Sequence, residues 1–121
     1  MTVNFTLGGM YFEYDEEKNQ KNIEKHGISF KSAARVFFDY DRIEFFDEEH
    51  SAEEDRYNTI GDNSAGLVTE KRVIGDVADI LFVVYTERFI VDRNGEKIDV
   101  TRIISARMAT NFEKGVYYGK F

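Results

Sequence analysis

Two short runs in this chain carry residue types suited to chemistry on a phosphate: Lys25-His26-Gly27 and Arg102-Ile103-Ile104-Ser105-Ala106-Arg107. A histidine titrating near pH ~6.5 can give or take a proton under cellular conditions. An arginine projecting from a sheet can hold a phosphate through two parallel N–H bonds. A third pair is Arg56 and Glu87, an arginine opening one apolar stretch and a carboxylate closing another. That carboxylate can act as a base, orient its neighbours, or simply pair with the arginine across strands. Each group also has an ordinary structural explanation. Lys25 and His26 complement a helix dipole, and solvent-facing or ion-paired arginines are common. In a regular strand Arg102 and Arg107, five apart, point to opposite faces. They serve one site only if the strand bends or ends near Arg107.

The elements that must position these residues are legible in outline. Met10–Tyr14 reads as a strand, with an additional strand near Val3–Leu7. Asp15 is placed as an N-cap, with Glu16 and Glu17 in the first turn and Lys25 and His26 in the last. Gly27 then ends a helix of about three turns. Lys18, Asn22 and Lys25 share one face of it, and Lys21 lies beside Lys25. Ser29 caps a second helix with Phe30, Ala33, Ala34 and Phe37 on one side. Arg42–Phe46 and Arg56–Gly61 read as strands, with at most a turn of helix at Ser51–Glu54 between them. Asn63–Gly66 reads as a loop and Val68–Val77 as an excursion with its own short hairpin. The continuous apolar run Ile80–Tyr85 predicts a central strand buried on both faces. Asp92–Gly95 is a turn, Val100–Ala106 a strand, and Thr110 caps a closing helix in which Phe112, Val116 and Tyr117 can dock. This order predicts an α+β domain: a small antiparallel sheet with helices on one side or end.

Composition narrows the function classes. The 121 residues suit a single domain spanning 1–121. There is no cysteine, which excludes disulfides, thiolate metal sites and a cysteine nucleophile. That fits a reducing cytoplasm, and the N-terminus lacks the basic and apolar pattern of a signal peptide, so a cytoplasmic location is expected. No apolar run approaches the ~18 residues of a membrane span. Asp47-Glu48-Glu49-His50 and Glu53-Glu54-Asp55 match no metal-ligand spacing and read as a solvated acidic loop. Neither a metal nor another cofactor is expected. The net charge is −7 and uneven: residues 1–70 carry 7 basic and 16 acidic side chains, residues 71–121 carry 9 and 7. Nucleic-acid binders are usually basic, so a nucleic-acid role here requires a local basic site.

Taken in order, these motifs resemble the BrnT family of type II toxins. The resemblance rests on Phe12-Glu13-Tyr14-Asp15, Lys18, Asn22, Lys25-His26-Gly27-Ile28-Ser29-Phe30 and Ala33. It continues through Arg56-Tyr57-Asn58-Thr59-Ile60-Gly61, Phe82–Arg88, Arg102–Arg107 and Ala109-Thr110, with Glu113 and Tyr117 in the closing helix. It implies a RelE-like ribonuclease toxin fold and an endoribonuclease that cleaves RNA without metal and blocks translation. It also implies a BrnA-like ribbon-helix-helix antitoxin as partner, with DNA reached only indirectly through that antitoxin. The residues it carries over are Lys25, His26, Arg56, Glu87, Arg102 and Arg107. Three positions depart from the family pattern. Tyr14 stands in place of Trp, Met108 in place of a further basic residue, and the closing stretch 111–120 holds only Lys114 and Lys120 as cations. Residues 62–79 and 89–99 are longer than usual. The alternative reading is a catalytically weak or inactive chain on the same fold that binds an antitoxin and contributes to operon repression. A third is an unrelated α+β protein whose acidic loop serves a basic partner.

Overall fold

The computed structural model describes residues 1–64 and 79–119, so the excursion expected at Val68–Val77 lies outside the described residues. The chain forms β1 (Thr2–Leu7), β2 (Met10–Asp15), α1 (Glu16–His26) and α2 (Phe30–Ala33), which continues into a 3₁₀ turn at Ala34–Phe38. Then come β3 (Ile43–Phe46), β4 (Tyr57–Asp62), β5 (Ile80–Val91), β6 (Lys97–Met108) and α3 (Asn111–Tyr117). The strand expected near Val3–Leu7 is present as β1. At Ser51–Glu54 no helical turn forms. Instead the Ser51 hydroxyl accepts from the Arg56 N–H (3.0 Å) and donates to the Asp47 carbonyl (2.5 Å), closing the loop into β4.

The six strands make one sheet in the order β1-β2-β6-β5-β4-β3. β3 through β6 form an antiparallel meander and β1–β2 an antiparallel hairpin. The two units meet at β2–β6, which is parallel, with Glu13 opposite Arg102. The expectation of an antiparallel sheet is therefore corrected to a mixed one. Short turns force antiparallel pairing only between consecutive strands. No such turn joins β2 to β6, which are separated by two helices and three strands.

Helices cover both faces, not one. Alternation along β5 sends Leu81, Val83 and Tyr85 to the face covered by α1, α2 and the 3₁₀ turn, where Phe12, Tyr14, Phe30, Val36, Phe37, Ile103 and Ala106 complete the main core. Phe30 is fully buried, a contribution of about 2 kcal/mol from apolar burial. Rings run in contact from Phe5 through Phe12 and Phe37 to Tyr85 and Tyr57. On the opposite face Ile60, Ile80 and Ala109 form a second cluster with Phe82 and Tyr117, so α3 packs there. Only the alternation of β5, not the element order, decides which side α3 takes. The β5–β6 hairpin runs past the helices, leaving Phe89, Ile90 and Val91 exposed.

Candidate active site

α1 begins where the Asp15 carboxylate accepts from the Lys18 N–H (3.0 Å), and it ends where Gly27, at φ 71°, accepts the left-handed conformation that side-chain-bearing residues avoid. Its buried side is not apolar. The buried residues are Asn19 and Asn22, while Ile23 is exposed. The helix is held by amides: Asn19 Oδ1 accepts from the Phe30 N–H at 2.9 Å, and Asn22 bonds to two segments at once. Asn22 Nδ2 donates to the carbonyls of Ile28 (2.9 Å) and Ala106 (2.8 Å), and Asn22 Oδ1 accepts from the Ala106 N–H (3.2 Å).

The need for that amide follows from the sheet. β2 pairs with β6 only as far as Arg102, because after Asp15 the chain turns into α1. Beyond Arg102, no strand among the described residues pairs with the β6 edge on that side, and buried backbone groups left unpaired are costly. Asn22 substitutes for the missing strand at Ala106.

The same stretch of β6 holds a β-bulge. Val84 and Tyr85, adjacent on β5, face Ser105 and Ile103, so Ile104 is the extra residue. The bulge resolves the spacing problem of the arginines. Arg102 is opposite Thr86 and Arg107 opposite Phe82, which are four apart on β5 and hence on one face. The Arg107 guanidinium indeed lies over the Phe82 ring at 4.2 Å. The two arginines thus share the face that carries α3, separated by about 14 Å along the strand.

Each arginine has an acidic partner on that face. Arg102 Nη1 lies 3.3 Å from Glu13 Oε1, and the same carboxylate is 3.4 Å from Arg88. Arg88 in turn makes a two-bond pair with Glu54 (2.8 and 3.0 Å). The result is a chain Arg102–Glu13–Arg88–Glu54. The Arg88 hydrogen bonds hold the Glu54 carboxyl below its ordinary value, and Glu54 raises Arg88. Arg107 grips Glu113 with two bonds (2.6 and 2.9 Å), which lowers the Glu113 pKa. Glu113 also closes the capping box of α3 with Thr110, so Arg107 ties the end of β6 to the start of α3.

The remaining sequence-predicted residues fall in two other places. Lys25 and His26 line a cleft of about 230 Å³ with Lys18, Lys21, Asn22 and the bulge residues Ile104 and Ser105. Arg56 lines a cleft of about 280 Å³ with His50, Ala52, Glu53 and Glu54, next to the Glu54 end of the arginine–glutamate chain. Glu87 does not join either arginine: it pairs in register with Thr101 on the face of Tyr85 and is exposed. The cross-strand pair weighed for Arg56 and Glu87 does not form. Arg88, one residue on, is the residue whose side chain reaches the face of Arg102. Glu13, Glu54, Arg88 and Ser105 were missed as site residues. The period of two along β5 marks Arg88, but the parallel β2–β6 register that brings in Glu13 has no local signal.

Residues 14–113 match the family model of BrnT, the ribonuclease toxin of type II toxin–antitoxin systems. The chain belongs to the BrnT family. A comparison with curated proteins found no match. The BrnT match contains all six residues singled out above and the whole of α1, β5 and β6, while β1 lies outside it. Met108 lies at the end of β6 opposite Leu81 and is exposed. Among the described residues, no helix is long and apolar enough to cross a membrane.

Proposed function

We propose that this BrnT-family chain is a metal-independent endoribonuclease toxin with a RelE-like fold, acting in the cytoplasm to block translation. We propose that a BrnA-like ribbon-helix-helix antitoxin neutralises it, and that the complex represses its own operon through the antitoxin's DNA contacts. The observation that carries the nuclease reading is the cleft at the end of α1. It combines a titratable histidine, lysines and a serine hydroxyl beside a bulged strand edge, in a chain whose net charge is −7. That is the local basic site an acidic nuclease requires.

In the proposed reaction a base takes the proton of a ribose 2′-hydroxyl, whose oxygen attacks the adjacent phosphate. An acid protonates the departing 5′-oxygen, leaving a 2′,3′-cyclic phosphate. His26 is the proton-transfer group of the cleft, and Lys25 offsets the charge that builds on the phosphorane. Arg102, Arg107 and Arg56 extend the cationic surface towards the flanking RNA. Glu87, opposite Thr101 and outside the lining of the His26 cleft, is the second proton-transfer candidate. Inducing the wild-type chain, His26→Ala and Arg102→Ala in bacteria tests this. Wild type is expected to arrest growth and yield cyclic-phosphate ends with chelator present, and His26→Ala to relieve both. A soluble wild-type chain without effect on growth would refute it.

A second reading has a specific observation in its favour. Arg88, Arg102 and Arg107 are each paired with a carboxylate of the chain itself, which competes with phosphate. On that reading the chain is a weak or inactive nuclease that binds its antitoxin and serves repression. Antitoxin binding without RNA cleavage would establish it.

A further inference from the structure

The charges of α1 are segregated around its axis. At ~100° per residue, Lys18, Lys21 and Lys25 fall within an arc of about 60°. Glu16, Gln20, Glu24 and Glu17 occupy the other flank, and Asn19 and Asn22 lie between the flanks on the buried side. Among the described residues none of these lysines forms an ion pair, and the nearest carboxylate on the wheel, Glu17, makes none with Lys21. Electrostatics favours mixing the signs, since Glu–Lys pairs one turn apart stabilise a helix. Here the lysines are collected on the flank that meets the β6 bulge. They wall the same cleft as His26 and Ser105.

We infer that the Lys18–Lys21–Lys25 flank of α1, closed by the Ile104–Ser105 bulge, is the track along which the backbone of a single RNA strand lies, with Lys18 and Lys21 holding successive phosphates upstream or downstream of the one at His26. This inference rests on the nuclease reading of the His26 cleft and adds to it two binding residues and a substrate form. Lys18 to Lys25 spans about 10 Å of helix axis. Three lysines spread over that length suit two or three successive phosphates of one strand, each lysine facing one phosphate. Lysine supplies point charge without base-edge specificity, so the track recognises backbone and not sequence. Among the described residues the opposite wall is one strand edge and one serine, with no second row of cations to hold a duplex. The segregation also explains how a chain of net charge −7 binds a polyanion: the acids of α1 face away from the strand.

Salt dependence of binding tests the track. The probe is a fluorescein-labelled 2′-O-methyl RNA 12-mer, which lacks the attacking hydroxyl and is not cut whatever the mechanism. Its dissociation constant is measured from 50 to 300 mM salt with the wild-type chain, with Lys18→Gln/Lys21→Gln, and with a control of equal charge, Lys31→Gln/Lys97→Gln. Each phosphate contact on a single strand contributes about 0.7 to the log–log salt slope. The Lys18/Lys21 double variant is therefore expected to lower the slope by about 1.4 and weaken binding about 25-fold at 0.1 M salt. The control is expected to keep the wild-type slope. Thermal melts of all three report whether the fold is retained. Equal slopes for the two double variants would overturn the track even if unmodified RNA is still cut at His26. A lowered slope with no cleavage of unmodified RNA supports the track and refutes the nuclease reading. Equal binding of a hairpin duplex and the single strand overturns the single-strand assignment.

Discussion

Asn22 is the residue on which the site geometry turns, and replacing it isolates that role. Its side chain makes three hydrogen bonds to backbone: two donated, to Ile28 and Ala106, and one accepted, from Ala106. It is buried, so water does not take over these partners in Asn22→Ala. At about 1 kcal/mol net per bond, the loss is about 3 kcal/mol, a large fraction of the roughly 5–15 kcal/mol of a typical domain. With a urea slope near ~1.5 kcal/mol/M, the unfolding midpoint falls by about 2 M. Asn22→Asp sharpens the test. It keeps the acceptor for the Ala106 N–H but sets a carboxylate against two carbonyl oxygens with no proton to donate. Burial and those oxygens raise the new carboxyl's pKa in the folded state above its unfolded value of about 3.9. The sign follows: the folded chain binds the extra proton, so the Asn22→Asp variant recovers stability below about pH 4 and loses it as pH rises through the raised value. Urea titrations of both variants against wild type at pH 3.5, 5 and 7 check this. An Asn22→Ala penalty under about 0.5 kcal/mol, or an Asn22→Asp penalty independent of pH, would refute the account of α1 as a substitute for a missing strand.

The Arg107–Glu113 pair makes a prediction of opposite sign. Arg107 holds the Glu113 carboxyl below its ordinary value, so the pair contributes above about pH 4.3 and is lost as pH falls through the lowered value. Arg107→Ala is expected to cost about 1 kcal/mol near neutrality and to flatten part of the acid-side loss of stability, read from urea midpoints between pH 3 and 6. Deleting Ile104 removes the residue that has no partner on β5 and leaves every other β6 residue in register, with Arg102 and Arg107 still on one face. The deletion variant is expected to fold with a cooperative melt but to lose RNA cleavage, because the wall of the His26 cleft is withdrawn. A chain that unfolds on losing Ile104 would show that the bulge is structural before it is functional.

Much of this architecture is written locally. Asp15, Ser29 and Thr110 cap their helices, Gly27 ends α1, and the Ile80–Tyr85 run forms the buried first half of β5, each because the signal and the structure it specifies lie within a few residues. The Lys25-His26 helix end is legible for the same reason. The family, too, follows from the order of these motifs along the chain. Only the tertiary structure decides the rest, since it depends on residues far apart in sequence meeting in space. Asn22, read from periodicity as one residue of a polar face with Lys18 and Lys25, is a buried clamp on a strand 84 positions away. Glu13 reaches Arg102 because β2 and β6 run parallel, an orientation no hairpin dictates. Arg102 and Arg107, five apart and destined for opposite faces of a regular strand, share one because Ile104 bulges. The sequence by itself determined which side chains are available for phosphate chemistry and which elements carry them. The pairing of those elements decided which of them meet: Lys25 and His26 at a bulged edge, with Arg102 and Arg107 on the sheet face beside it, each balanced by a carboxylate.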